Sequence, residues 1–334
     1  MTSWFDIAAA VLWQSSLESG IFAAAIWAVT KLFPRIPALV QVWMWRAAML
    51  RFLIGPLLTL QFGHMPTPSP NWIAPVLVSL LAAMFASSWI KTAVEALALK
   101  QTLRDSELCF DKSILAAVAQ MSERLALAQV PVVKVSAQIS TPMLTGFREP
   151  ELYLPAEMPE GEKTALAAIA HELAHIKHAD LRWNWLGTIT ESVMLFHPLF
   201  WVARRELMLA QELACDAAAI EASRTEPPEY CRILLSFSLP RKAVNPALSV
   251  GLASCFKSLR RRITMIGAGA NPSRVHPTVA ALILCVGLIP NVHPKPAAHA
   301  KNEVPAVAAV RIVASPAHER FPSAAAELMG ENKH

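Results

Sequence analysis

Charge is what this chain has least of: Asp, Glu, Lys and Arg make up 16% of its 334 residues, against 54% hydrophobic residues and a mean hydropathy of +0.39. That balance excludes an ordinary soluble protein and places the chain in a membrane. The five cysteines, Cys109, Cys215, Cys231, Cys255 and Cys285, show no paired metal-binding spacing. A cysteine-rich zinc site is therefore excluded, and the thiols are expected to be reduced in or near the cytoplasm. No internal repeat is present. Basic residues follow the first apolar stretch instead of preceding it, so no secretory signal peptide is expected and the N-terminus should remain as an anchor.

Three apolar stretches are long enough to span a bilayer: about Ile7 to Phe33, Val42 to Phe62 and Trp72 to Ile90. The second ends at GHMPTPSPN, whose prolines and small polar residues cannot continue a helix. Glu18 sits inside the first stretch, where an acid is costly, and Arg46 and Arg51 of the second are its candidate partners. Lys31, Arg35, Arg46 and Arg51 mark one side of the membrane, as do Lys91, Lys100 and Arg104, while residues 63–71 carry no Lys or Arg. The positive-inside rule then puts the N-terminus outside and residues after about 91 inside the cell.

Residues 101–275 are the one stretch long enough for a folded hydrophilic domain, and they contain His171-Glu172-Leu173-Ala174-His175. On a helix, positions four apart share a face, so one metal ion can take both imidazoles. Glu172 can then reach a water at the metal and act as general base, which is the equipment for zinc-assisted peptide hydrolysis. The alternative is two chance histidines on a solvated face. A catalytic zinc wants a third protein ligand. The metzincin spacing fails, because its Gly and His positions hold His178 and Leu181. His178 lies about 10 Å further along the helix than His171 and suits the helix end instead. The best candidate is Glu212, because Asp216 follows one turn later as an outer carboxylate able to accept a ligand histidine's second N–H. Their bland reading is two surface acids.

Elsewhere in this stretch, SILAAVAQMSERLAL has the spacing of an amphipathic helix, and PVVKVSAQISTPMLTGFREPELYLP predicts two or three short strands. In a zincin-like fold an edge strand here would lie beside the metal helix and hold an extended peptide. LRWNWLGTITESVMLFHPLFWVA is nearly continuous and apolar, either buried or membrane-associated. His197 is read as structural, Arg204 and Arg205 as solvating a helix face, and Cys215 as a small buried residue. The run KSLRRR, Lys257 to Arg262, fits a cytoplasmic anchor at anionic lipid better than a nucleic-acid patch. Residues 276–292 are expected to form a fourth span, and residues 293–334 a short disordered tail outside the membrane.

The three N-terminal spans, the run STPMLTGFREPELYLP ahead of HELAHIKHAD, then HPLFWVARRE and ELACD, resemble the antirepressor membrane peptidases of the BlaR and MecR type. The resemblance covers roughly residues 1–290. It implies a gluzincin-like site in which His171, His175 and Glu212 bind zinc, Glu172 is the general base and Asp216 supports a ligand. It also implies a cytoplasmic protease domain activated from across the membrane, whose action relieves transcriptional repression, with self-cleavage as part of activation. The family's best-known members carry a penicillin-binding sensor domain after the last span, which about 40 residues cannot form. Ser88-Trp-Ile-Lys91 matches the acylation pattern S-x-x-K without its companion elements and is read as chance.

The fold class expected is thus an α-helical multi-span membrane protein: three transmembrane helices in residues 1–100, an inserted α+β zincin-like metallopeptidase domain in 101–275, and the segments beyond. It belongs in the bacterial inner membrane with its active site on the cytoplasmic side. Zinc is the expected cofactor. The expected partners are a protein substrate, chiefly a transcriptional repressor, together with membrane lipid and a sensor protein, without direct contact to nucleic acid. Two alternatives are a housekeeping membrane protease resembling the heat-shock and CaaX-processing peptidases, and a non-proteolytic transducer stapled by zinc. On the ligand assignment, Glu212→Gln should lose metal far more readily than Asp180→Asn, and equal zinc retention in the two variants would rule out Glu212 as third ligand.

Overall fold

The long apolar runs fold as three helices: α1 (Trp4–Leu32), α2 (Ala38–Phe62) and α3 (Ile73–Thr102). The computed structural model describes residues 4–62, 73–157, 161–238 and 249–268, together with 282, 283 and 285. All three helices are long and apolar enough to cross a membrane. Their outer faces leave large apolar side chains uncovered, such as Ile21, 70% exposed, and Ile90, 65% exposed, which suits contact with lipid rather than water. Helix α3 continues twelve residues beyond the expected end at Ile90. Nothing after Lys91 breaks it: the sequence KTAVEALALK is made largely of helix formers, and Lys91 pairs with Glu95 one turn on. The stretch GHMPTPSPN at 63–71, the expected fourth span and the tail lie outside the described residues, apart from three positions of that span.

Glu18 on α1 receives Arg51 of α2 at 2.9 Å, so one of its two candidate partners is selected and the acid within the first apolar helix is matched. Arg46 points elsewhere, as described below.

Beyond the spans, α4 (Lys112–Arg124) matches the amphipathic run and is capped by Asp111, whose carboxylate accepts from the backbone N–H of Ser113 and Ile114. Strands β1 (Glu107–Leu108), β2 (Val132–Ser136), β3 (Met143–Thr145) and β4 (Glu151–Pro155) form a four-stranded sheet in the order β1-β2-β4-β3. The central pair, β2 and β4, is parallel, and both outer pairings are antiparallel. The two-residue β1 is too short to leave a periodic signal. The tight turn from β3 to β4 depends on Gly146, at φ +95°, where a Cβ would meet the carbonyl oxygen of Glu149 at 2.1 Å.

The five remaining helices among the described residues are α5 (Glu162–Lys177), α6 (Asp180–Met194), α7 (Pro198–Ser223), α8 (Pro227–Ser238) and α9 (Ser249–Gly267). The apolar stretch after Asp180 is therefore two helices. They part at His197-Pro198, where His197 is the N-cap and proline takes the first turn of α7. Glu191, which interrupts that stretch, pairs with Arg204 of α7. Helix α7 joins the two cores. Phe200, Ala203, Leu207 and Ala210 pack with Trp45, Met49 and Phe52 of α2. Further along, Cys215, Ala218, Ala219 and Ala222 pack with Ala167, Ala170, Leu173 and Ala174 of α5. Glu212 sits between these two halves.

Candidate metal centre

His171 and His175 lie one turn apart on α5, their rings 5.1 Å apart between centroids. Alanine dominates the buried faces that α5 and α7 present to their shared core, so the two helices can approach closely enough for Glu212 to reach both imidazoles. Its Oε2 is 3.5 Å from His171 Nε2, and its Oε1 is 3.8 Å from His175 Nε2. A tetrahedral ion with bonds of about 2.0–2.1 Å sets neighbouring ligand atoms roughly 3.4 Å apart. These three residues thus offer ligand atoms at a spacing that could hold a metal.

The other ring nitrogens are also engaged. His171 Nδ1 lies 3.2 Å from Asp216 Oδ1, and His175 Nδ1 lies 2.8 Å from Asp180 Oδ2. Each imidazole therefore has its Nδ1 held by a carboxylate while its Nε2 faces Glu212, the orientation that a metal-binding histidine needs. Asp216 is fully buried and is gripped besides by Arg262, at 2.7 Å from Nε and 2.6 Å from Nη2, and by the Tyr230 hydroxyl, which donates at 2.9 Å. A third guanidinium nitrogen of Arg262 lies 2.8 Å from Glu212 Oε2.

Three of these residues carry roles that the sequence did not suggest. Arg262 belongs to the run read as a lipid anchor, yet its side chain is only 15% exposed and points into the site; Arg261 of the same run pairs with Glu206 on α7. A run of like charges says nothing about which member turns inward. Tyr230 is one of only two tyrosines in the chain, and that scarcity was the available signal. Asp180, treated above as an indifferent comparator for Glu212, is instead bonded to His175. Its position directly after the helix end, five residues from His175, could have flagged it.

The remaining candidates are placed away from the chemistry except for Cys215, which lies against the rear nitrogen of His175. His178 is the C-cap of α5, its imidazole lowered to about 4, chiefly by burial. His197 packs against Phe52 and closely against Gly20. Cys215 is buried, 3.3 Å from His175 Nδ1 and 3.4 Å from Asp180 Oδ2; burial, with Asp180 next, raises its thiol well above the ordinary value. Ser88 contacts Ser192 across helices, and Lys91 is taken by Glu95.

A cleft of about 250 Å³ opens over the two histidines, lined also by Glu172, Thr141, Pro142, Tyr230 and Phe237. Thr141 and Pro142 lead directly into β3, at the edge of the sheet. Burial raises the Glu172 carboxyl against the opposing pull of His171 and His175, as suits a group that must accept a proton and give it back. Burial alone would lower His171, but Asp216 and Glu212 outweigh it and raise the imidazole to about 10. Burial would likewise raise Glu212, and His171 with Arg262 hold it down at about 2.

Residues 62–266, more than half of the chain, match the BlaR1 peptidase M56 family. The chain belongs to that family. M56 peptidases are metallopeptidases, and His171, His175 and Glu212, the group that could hold a metal, fall within the matched residues. The chain is 23% identical over 198 residues to the regulatory protein BlaR1 of Bacillus licheniformis, a match covering 58% of this chain and 31% of that protein. It is 25% identical over 166 residues to the methicillin resistance mecR1 proteins of Staphylococcus aureus and Staphylococcus epidermidis, covering 47% of this chain and 28% of each of them. The matches thus span about a third of the length of these relatives.

With its imidazole raised to about 10, His171 holds a proton at neutral pH that a metal must displace. Metal affinity should therefore rise with pH, by about tenfold per unit for each proton released. Calorimetric titration in two buffers of different ionisation enthalpy should find about one proton released per metal near pH 7; no net release would contradict this charge state.

Proposed function

We propose that this M56 family member is a multi-span membrane zinc endopeptidase that acts as a signal-transducing regulator, cleaving a cytoplasmic transcriptional repressor or itself. The observation that carries the reading is the convergence of His171 Nε2, His175 Nε2 and the Glu212 carboxylate, with both Nδ1 atoms held from behind by Asp216 and Asp180.

Two nitrogens and one carboxylate suit zinc and leave a position for water. Zinc held by His171, His175 and Glu212 would supply Lewis acidity to the peptide carbonyl and acidify the attacking water. Glu172, on the same helix and lining the same cleft, takes the proton from that water and returns it to the leaving amine. Arg262 balances the paired charges of Glu212 and Asp216 and fixes the orientation of both carboxylates. A substrate strand laid along β3 would pass Thr141 and Pro142 into the cleft, held by main-chain hydrogen bonds. The α+β arrangement, with the sheet beside the metal helix, is in this reading that of a gluzincin.

The cytoplasmic orientation rests on the basic residues at the α1–α2 turn and after the middle of α3, against a 63–71 loop without any. The regulatory role rests on the relatives, one a regulatory protein and the others methicillin resistance proteins. In this reading residues 1–100 form the membrane block and 101–275 the protease domain.

The test uses purified protein in nanodiscs, wild type beside Glu172→Ala, with zinc content and cleavage of a broad peptide library as readouts. Both proteins should bind about one zinc, and cleavage should fall by about 10²–10⁴-fold in the variant. Zinc in both with cleavage in neither would replace the peptidase by a zinc-stapled transducer, and zinc in neither would overturn the site.

A further inference from the structure

Arg46 sits in the first half of α2, eight residues into a helix long and apolar enough to span the membrane, yet it does not pair with Glu18, the acid on the neighbouring helix α1. Glu18 is satisfied by Arg51. One Arg46 nitrogen, Nη2, instead donates to Asp180 Oδ1 at 2.7 Å and to the backbone carbonyl of His178, also at 2.7 Å. The guanidinium lies over the rings of both Trp43 and Trp183, 5.0 and 4.9 Å from their centroids, and the two rings meet each other edge-on at 5.8 Å. Arg46 and Asp180 are 1% and 2% exposed.

These contacts fall on a corner. Helix α5 ends at His178, Ala179 turns left-handed at φ +57°, and α6 begins at Asp180. A left-handed turn at a residue other than glycine is held by its surroundings, and Arg46 grips the carbonyl before it and the carboxylate after it. The second oxygen of that carboxylate carries His175 Nδ1 at 2.8 Å. An unbroken line of short contacts therefore runs from a membrane-spanning helix through Asp180 to one of the two histidines of the metal centre. Among the described residues, Arg46 is the one permanently charged partner of Asp180; without it, a buried carboxylate loses its cation and its orientation together.

We infer that Arg46 is a positioning residue of the metal centre: acting through Asp180, it sets the orientation of His175 and thereby supports metal binding and turnover. The inference rests on the metal assignment proposed above and adds a connection between the spans and the site. A role in folding alone is the competing account. It predicts lost stability with an intact site.

The experiment compares wild type, Arg46→Met, Arg46→Lys, Asp180→Asn, the Arg46→Met/Asp180→Asn double variant and Arg51→Met as full-length proteins in nanodiscs. Zinc affinity is measured by chelator competition, kcat and KM are measured separately on a cleaved peptide, and thermal midpoints are recorded alongside. Arg46→Met and Asp180→Asn should each weaken zinc binding by about 10–100-fold and lower kcat with little change in KM. The double variant should be no worse than the more severe of the two, because both act on one contact. Arg46→Lys keeps the charge without the planar group that lies over Trp43 and Trp183 and should lose zinc affinity severalfold while folding normally, which keeps the test decisive if Arg46→Met does not fold. Arg51→Met should lower the thermal midpoint and leave zinc affinity unchanged. Wild-type zinc affinity in Arg46→Met or Arg46→Lys, or losses that multiply in the double variant, would overturn the inference while leaving the metal centre standing. A wild type that binds no zinc would remove both.

Discussion

The close approach of α5 to α7 is the constraint on which the rest of the molecule depends. Alanines at 167, 170 and 174 on one helix and at 218, 219 and 222 on the other share a single core, and small side chains are what let two helix backbones come near each other. Only at that separation does the Glu212 carboxylate lie within 4 Å of both imidazoles. Because α7 also packs on α2 through Phe200, Ala203 and Leu207, the same helix that carries Glu212 is fixed to the spans.

Charge sets the second condition. His171, His175, Arg46 and Arg262 meet Glu212, Asp180 and Asp216 within one partly buried cluster, and buried charges of that kind are costly unless they are partnered. Two outer carboxylates take most of these contacts. Asp216 is shared by His171, Tyr230 and Arg262, and Asp180 by His175 and Arg46. The outer carboxylates thereby leave each Nε2 turned toward Glu212 and the cleft.

What could be read from the sequence was whatever is local. The i, i+4 histidines, the one-turn step from Glu212 to Asp216, the apolar lengths of α1 to α3 and the amphipathic spacing of α4 are all properties of a single helix, and periodicity reports them directly. The partners of these residues are not local. Arg262 reaches Asp216 across 46 residues and Arg46 reaches Asp180 across 134, and in both cases charge invited a different reading: a lipid anchor for the first, a partner for Glu18 for the second. Asp180 was close in sequence but lay beyond a helix end, where face arguments stop. The extension of α3 past Lys91 was missed because apolarity ended there while helix propensity did not.

The most direct test of the central claim is X-ray absorption at the zinc edge on the metal-loaded protein in nanodiscs. The proposed centre predicts light scatterers only, two imidazole nitrogens with carboxylate and water oxygens at about 2.0–2.2 Å. A rival group exists, because His175, Asp180 and Cys215 also bring ligand atoms within 4.8 Å of one another. A sulfur scatterer at about 2.3 Å would place the metal on Cys215 and contradict the assignment to His171, His175 and Glu212.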